Sequence, residues 1–316
     1  MGNRLGYFYG FAAYLCWGAF PLYFALLSDI DPYEAVPWRV FTALVFCVLA
    51  VGVMRAWGPL FAILRSPRMF GWFALAAVLL YINWQVFVVG VITGHILETA
   101  LGYFINPLVT ILIGVFVRKE KLSGLQWVAV SIAGAGVLVS AIAYGRVPYI
   151  ALALAFSFGL YGAVRKQTSE DVDALTGLTI ETLIGTVIAI AQLGLIFALN
   201  GRFDSFDHGA FVTTILLLSG VVTAIPLLLF AASNRRLPLS HMGFIQFATP
   251  ILAFFTGYFI FHEEMPLARW IGFIAVWVAL VVLLVDMVRS IRRARRSPPG
   301  EEPPPTTGEI ITQPGL

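Results

Sequence analysis

Long apolar runs separated by short polar breaks cover almost the whole chain, and the length of those runs predicts the elements. Mostly apolar blocks span 5–27, 36–54, 70–93, 97–117, 125–143, 149–164, 175–199, 211–231, 241–261 and 268–288. A helix crossing roughly 30 Å of hydrocarbon needs about 20 such residues, so ten spanning helices are expected, the sixth being the shortest. Strands of a membrane barrel would be about ten residues long and alternate apolar with polar; these runs do not alternate. The first block exceeds the roughly 7–15 apolar residues of a secretory signal, and no A-x-A-like site follows it. It reads as a retained helix.

Composition agrees with lipid as the solvent. Of 316 residues, 59% are hydrophobic and 12% charged, with a mean hydropathy of +0.88. A soluble domain has roughly a quarter charged residues; this chain has too few to cover a surface facing water. Cys16 and Cys47 both fall inside predicted spans, where free cysteine packs as a small hydrophobe. Two thiols make neither a zinc site nor a disulfide framework, and no metal or cofactor is expected.

Basic residues set the orientation. With the N-terminus in the cytoplasm, the inner loops and ends hold Arg4, Arg55, Arg65, Arg68, Arg118, Lys119, Lys121, Arg165, Lys166, Arg235, Arg236, Arg289, Arg292, Arg293, Arg295 and Arg296, sixteen of the twenty Lys and Arg. The first outer loop carries Asp29, Asp31 and Glu34 instead. An even number of spans returns the C-terminus to the cytoplasm as well. Residues 289–316 form a basic, proline-rich tail expected to be disordered. Its arginines suit anionic headgroups or act as a plain topology signal; nothing else in the chain points to nucleic acid.

An internal repeat is visible. Shifted by 143 residues, Pro107, Gly114, Glu120 and Trp127 fall on Pro250, Gly257, Glu263 and Trp270. The polar stripe Thr99, Tyr103, Asn106 and Thr110 lies on one helix face and maps onto Met242, Gln246, Thr249 and Ala253. The chain therefore divides into 1–146 and 147–288, each with five spans. An odd number of spans per half inverts the second half, and inverted repeats are common in secondary transporters.

Polar groups inside spans are the candidate chemistry. A charge at the centre of a membrane helix costs around 2.5–3.5 kcal/mol on insertion scales, so it faces a cavity or a partner. Arg39 lies about one turn inside the second span and Glu181 about two turns inside the seventh, at the equivalent position of the other half. Arg39 could instead snorkel to headgroups, and Glu181 could only tie helices together. Asn83, Gln85 and Gln192 also fall within spans, and Glu98 opens the fourth; such amides often bond neighbouring helices. Trp17 sits with Tyr14 and Pro21 at helical spacing. Pro107, Pro226 and Pro250 each remove a backbone bond and are candidate kinks. No G-x-x-x-x-G-K-[ST] or G-x-S-x-G occurs, and His262-Glu263 lacks the second histidine of H-E-x-x-H. Enzyme chemistry is not visible.

Asn83-Trp84, the run Leu97–Val109, the run Ala153–Gly162, Ile180-Glu181-Thr182 and the run Thr223–Leu228 resemble the RarD-type permeases of the EamA family, within the drug/metabolite transporter superfamily. The likeness covers nearly all of 5–288. It implies an all-α membrane protein of ten transmembrane helices in two inverted five-helix repeats, with both termini cytoplasmic, in a bacterial inner membrane. It also implies export of a small organic metabolite or drug, with chloramphenicol named for the RarD subgroup. By the resemblance, helices one to four and six to nine surround a cavity, while the fifth and tenth stand aside at a candidate homodimer contact. Carried over, Trp17, Arg39, Asn83, Trp84, Tyr103, Asn106, Tyr161, Glu181, Gln246 and Thr249 are substrate-cavity candidates. The expected activity is alternating-access transport, outward, with Glu181 the candidate for proton coupling. An intramembrane enzyme and a non-transporting membrane scaffold are the alternatives.

Overall fold

The computed structural model describes residues 2–118, 122–144, 147–166, 172–234, 236, 245, 246 and 248–294, and among these every regular element is helical. Twelve helices are used below: α1 (Gly2–Gly18), α2 (Phe20–Ala25), α3 (Pro32–Met54), α4 (Trp57–Leu64), α5 (Pro67–Ile92), α6 (Ile96–Arg118), α7 (Gly124–Tyr144), α8 (Tyr149–Lys166), α9 (Ala174–Asn200), α10 (Gly209–Asn234), α11 (Ala248–Phe255, continued by a π-turn at Thr256–Ile260) and α12 (Leu267–Ala294). Five stretches are long and apolar enough to cross a membrane: Pro32–Met54, Pro67–Ile92, Ala174–Asn200, Gly209–Phe230 and Leu267–Asp286. Shorter apolar helices cover Ile96–Val109, Gly124–Val139, Tyr149–Arg165 and Ala248–Ile260. Glu120, Arg146, Met242 and the tail beyond Ala294 lie outside the described residues.

The helix ends follow from local chemistry. Asp31 caps α3 by accepting the Tyr33 amide at 2.8 Å. Asp173 caps α9 by accepting from Leu175 and Thr176 at 3.0 and 3.1 Å. Each satisfies amides that have no carbonyl one turn back. Ser66-Pro67 opens α5 with a cap and a proline at the first turn, where its missing N–H costs nothing. Gly201, at φ +72°, closes α9.

Three boundaries differ from the hydropathy reading. The block 5–27 is two helices, broken at Ala19, because Pro21 has no amide to offer the carbonyl one turn back and its ring crowds that turn. The stretch between Arg55 and Arg65 is not a plain loop but α4, whose Leu60 and Ile63 pack on Phe73 and Ile180. The last helix runs to Ala294, so the first six residues of the predicted disordered tail are helical. Arginine is a good helix former.

The chain forms two compact units, Met1–Tyr103 with Ile150–Glu263, and Phe104–Tyr149 with Glu264–Leu316. In the first, α3 packs between α9 and α10, α5 joins α3 and α9, and α1 lies against α10 and α11. These helices meet through small residues, as membrane helices do. A Cβ on Gly220 would fall on the backbone between Thr42 and Ala43, and the Gly220 amide donates to Thr42 Oγ1 at 3.1 Å. On α9 the buried face runs through Leu178, Thr182, Gly185 and Ala189. Val187, Ile190 and Leu199 are exposed on α9. Hydroxyls inside the spans bond their own helix: Thr179, Thr182 and Thr186 each donate to the carbonyl four residues back at 2.7–2.8 Å. In the second unit α7 packs on α12, with Gly136 opposite Ala275 and Phe104 edge-on to Phe273 and Trp277.

Candidate functional site

Arg39 is the eighth residue of α3 and the largest fully buried side chain among the described residues, 2% exposed. It does not snorkel. Its Nε donates to Thr223 Oγ1 on α10 at 2.7 Å. Its guanidinium carbon stands 4.6 Å from the ring centre of Trp84, 4.7 Å from Phe24 and 5.6 Å from Phe20. Tyr23 and Tyr103 are within Coulombic reach. Nη1 is buried without a hydrogen-bond partner, and among the described residues no carboxylate pairs with the group.

Glu181 is the eighth residue of α9, so it occupies the same register as Arg39 in the matching helix. Its side chain is 1% exposed. Oε1 pairs with Arg165 Nε at 2.9 Å, and Oε2 accepts from the Tyr161 hydroxyl at 3.2 Å. Arg165 in turn lies over the Phe73 ring at 4.9 Å. Gly177 leaves it room, since a Cβ there would land on the guanidinium. The two centres correspond further: Tyr23 and Ile215, joined by a 2.5 Å bond from the Tyr23 hydroxyl to the Ile215 carbonyl, stand 142 residues from Arg165 and Phe73.

A line of rings connects the centres. Phe24 meets Phe87 at 5.9 Å, Phe87 meets Tyr103 at 6.1 Å, Tyr103 meets Phe158 at 6.4 Å, and Phe158 meets Tyr161 at 5.7 Å. Tyr103 and Tyr161 are half-buried. Trp17 packs against both the main core and the Tyr14–Phe230 group, 5.1 Å from Tyr14 and 5.6 Å from Phe230.

Other sequence candidates have structural partners. Asn83 gives both amide protons to α8, to the Leu154 carbonyl at 3.2 Å and Ser157 Oγ at 3.0 Å, so it ties helices together. Thr249 Oγ1 donates to the Tyr14 carbonyl at 2.8 Å and does the same for α11 and α1. Gln246 is half-buried. Asn106 and Pro107 belong to the second unit. Pro107 and Pro226 lie inside α6 and α10. Pro250 is the third residue of α11. Pro37 lies inside α3.

Sequence reading missed Arg165, Thr223, Phe20, Phe24 and Phe73. Arg165 counted as an inner-loop charge; its spacing of four from Tyr161 was the available signal that both share a helix face.

Glutamates also clamp loops. Glu263 accepts from the Ile96 and Leu97 amides at the start of α6, and Glu98 from the Ile150 amide at 3.0 Å at the start of α8. His262, at φ +50°, turns the chain so that Glu263 reaches α6. Glu34 accepts from the Asp204 and Ser205 amides and the Ser205 hydroxyl.

The profile of the EamA-like transporter family matches residues 4–142 and again 147–285, two stretches that begin 143 residues apart. The chain belongs to that family. Among similar members, protein RarD of Streptomyces exfoliatus is 42% identical over 93% of this chain and 92% of its own length. The uncharacterized transporter YojE of Bacillus subtilis is 39% identical over 93% and 98%, and protein RarD of Escherichia coli 36% over 93% and 98%. A solved crystal structure shares the fold at a TM-score of 0.59, with 16% identity over 90% of this chain and 98% of that one. As an EamA member the protein is a multi-pass membrane permease, embedded in a bilayer and acting on a small molecule.

Proposed function

We propose that the protein is a secondary transporter that moves a small organic metabolite or drug by alternating access, outward across a bacterial inner membrane. Its ten spans form two inverted five-helix repeats, 1–146 and 147–288, with both termini in the cytoplasm. The observation that carries this reading is the repeat. The starts of α3 and α9 are 142 residues apart, as are those of α5 and α10, and those of α7 and α12 are 143 apart. The family profile fits twice, at starts 143 residues apart. Two halves of one design, each with an odd number of spans, can exchange conformations around a midplane site.

Within this reading Arg39 and Glu181 mark equivalent ends of a solute path, with Trp84, Tyr103 and Tyr161 along it and Trp17 beside it. Glu181 is the proton-coupling group: its carboxylate is dry, and protonation would release Arg165. Purified protein in liposomes tests this, with efflux and uptake of a metabolite panel followed with and without a pH gradient. Flux driven by the gradient in the wild type and lost in Glu181→Gln is expected. No flux of any panel member would count against the transporter, and unchanged gradient-driven flux in the variant would remove the coupling role.

A further inference from the structure

The Arg39 centre is one anion short. A guanidinium has five N–H donors, yet Arg39 uses one on Thr223 and keeps Nη1 buried and unbonded. Three ring faces, those of Phe20, Phe24 and Trp84, stand against the guanidinium. Cation–π attraction offsets only part of what taking an ion out of water costs. Glu181, its counterpart in the other half, has the opposite environment: a cation at 2.9 Å and a hydroxyl at 3.2 Å. The same register thus holds a charge with a countercharge in one half and, among the described residues, a charge without one in the other.

We infer that Arg39 is the recognition group for the carboxylate of a small aromatic organic acid, whose ring lies against Trp84 and Tyr103. The carboxylate supplies the missing acceptor to the guanidinium, for which its two oxygens are geometrically matched. The ring covers what remains accessible on Trp84 and Tyr103. An inorganic anion would satisfy Arg39 but leave the rings uncovered; a neutral aromatic would cover the rings and leave the guanidinium short. This inference names the solute class for the transporter proposed above and so rests on that reading.

The test uses the full chain in lipid nanodiscs, with benzoate as probe and benzamide, cyclohexanecarboxylate, phosphate and benzylamine for comparison. Tryptophan fluorescence and thermal shift both report binding. Benzoate is expected to bind, with benzamide, phosphate and benzylamine at least about tenfold weaker, the scale of a lost charged hydrogen bond, and cyclohexanecarboxylate between. Arg39→Gln is expected to lose benzoate selectivity over benzamide, Arg39→Lys to retain part of it, and Trp84→Leu to weaken benzoate but not phosphate. The Trp84 and Lys variants keep the test decisive if the Gln variant does not fold. Equal binding of benzoate and benzamide, or of benzoate and phosphate, would overturn the inference, as would unchanged benzoate affinity in Arg39→Gln. Flux is read separately in liposomes: neutral or cationic solutes carried without benzoate binding would sink the solute class and spare the transporter. Benzoate bound but no solute carried would do the reverse.

Discussion

Removing both members of the Arg165–Glu181 pair should cost less than the sum of removing each alone. The pair is made at 2.9 Å, with the Glu181 side chain 1% exposed and that of Arg165 18%. Stranding one partner of a buried pair costs about 3–5 kcal/mol. Arg165, at the end of α8 with some access to solvent, relaxes more easily than Glu181. Arg165→Gln is therefore expected to cost about 3 kcal/mol and Glu181→Gln about 1–2 kcal/mol, both below or at the low end of the buried-pair range. The double variant should fall short of the sum by at least about 1.5 kcal/mol, since coupled neighbours depart from additivity by 0.5–3 kcal/mol. Reversible unfolding in mixed micelles against denaturing detergent measures all four corners of the cycle. Additivity within about 0.5 kcal/mol would refute the pair as a unit and, with it, the idea that protonating Glu181 frees Arg165.

Three further outcomes test the packing. Gly220→Ala should destabilise by about 1–3 kcal/mol, the range for overpacking, because its Cβ meets the Thr42–Ala43 backbone and not a movable side-chain end; unfolding in the same micelles reads it. Glu263→Ala should cost about 0.5–2 kcal/mol as a lost helix cap and speed hydrogen exchange at the Ile96 and Leu97 amides, which Glu263 accepts from. Asn83→Leu should cost about 1 kcal/mol, given the modest worth of hydrogen bonds between membrane helices, and leave benzoate affinity unchanged; a large affinity loss would return Asn83 to the solute path.

The long spans were legible because lipid demands length, and Pro32–Met54, Pro67–Ile92 and Ala174–Asn200 meet it with caps written locally as Asp31, Ser66 and Asp173. Helix faces were not. In a membrane both the protein-facing and the lipid-facing sides of a helix are apolar, so periodicity could not say that Phe20 and Phe24 face Arg39 while Val187 and Ile190 are exposed. The intramembrane charges Arg39 and Glu181 both prove buried. Their partners did not show, because a count of basic residues by loop assigns Arg165 to one side and says nothing of a long stem that turns back into the bundle. Asn83 and Thr249 carried the reverse ambiguity, since a polar side chain within a span looks the same from sequence whether it meets solute or a neighbouring carbonyl.

Alternating access itself is tested most directly at Tyr103, between Phe87 and Phe158 on the line of rings. In a chain with Cys16 and Cys47 replaced by alanine, Tyr103→Cys is placed in liposomes of known orientation. A membrane-impermeant thiol reagent is then applied to each side in turn, with Val187→Cys, exposed on α9, as the control. Labelling of Tyr103→Cys from both faces, slowed on both by a bound solute, is the predicted result. Labelling from one face alone, or from neither, would contradict the account.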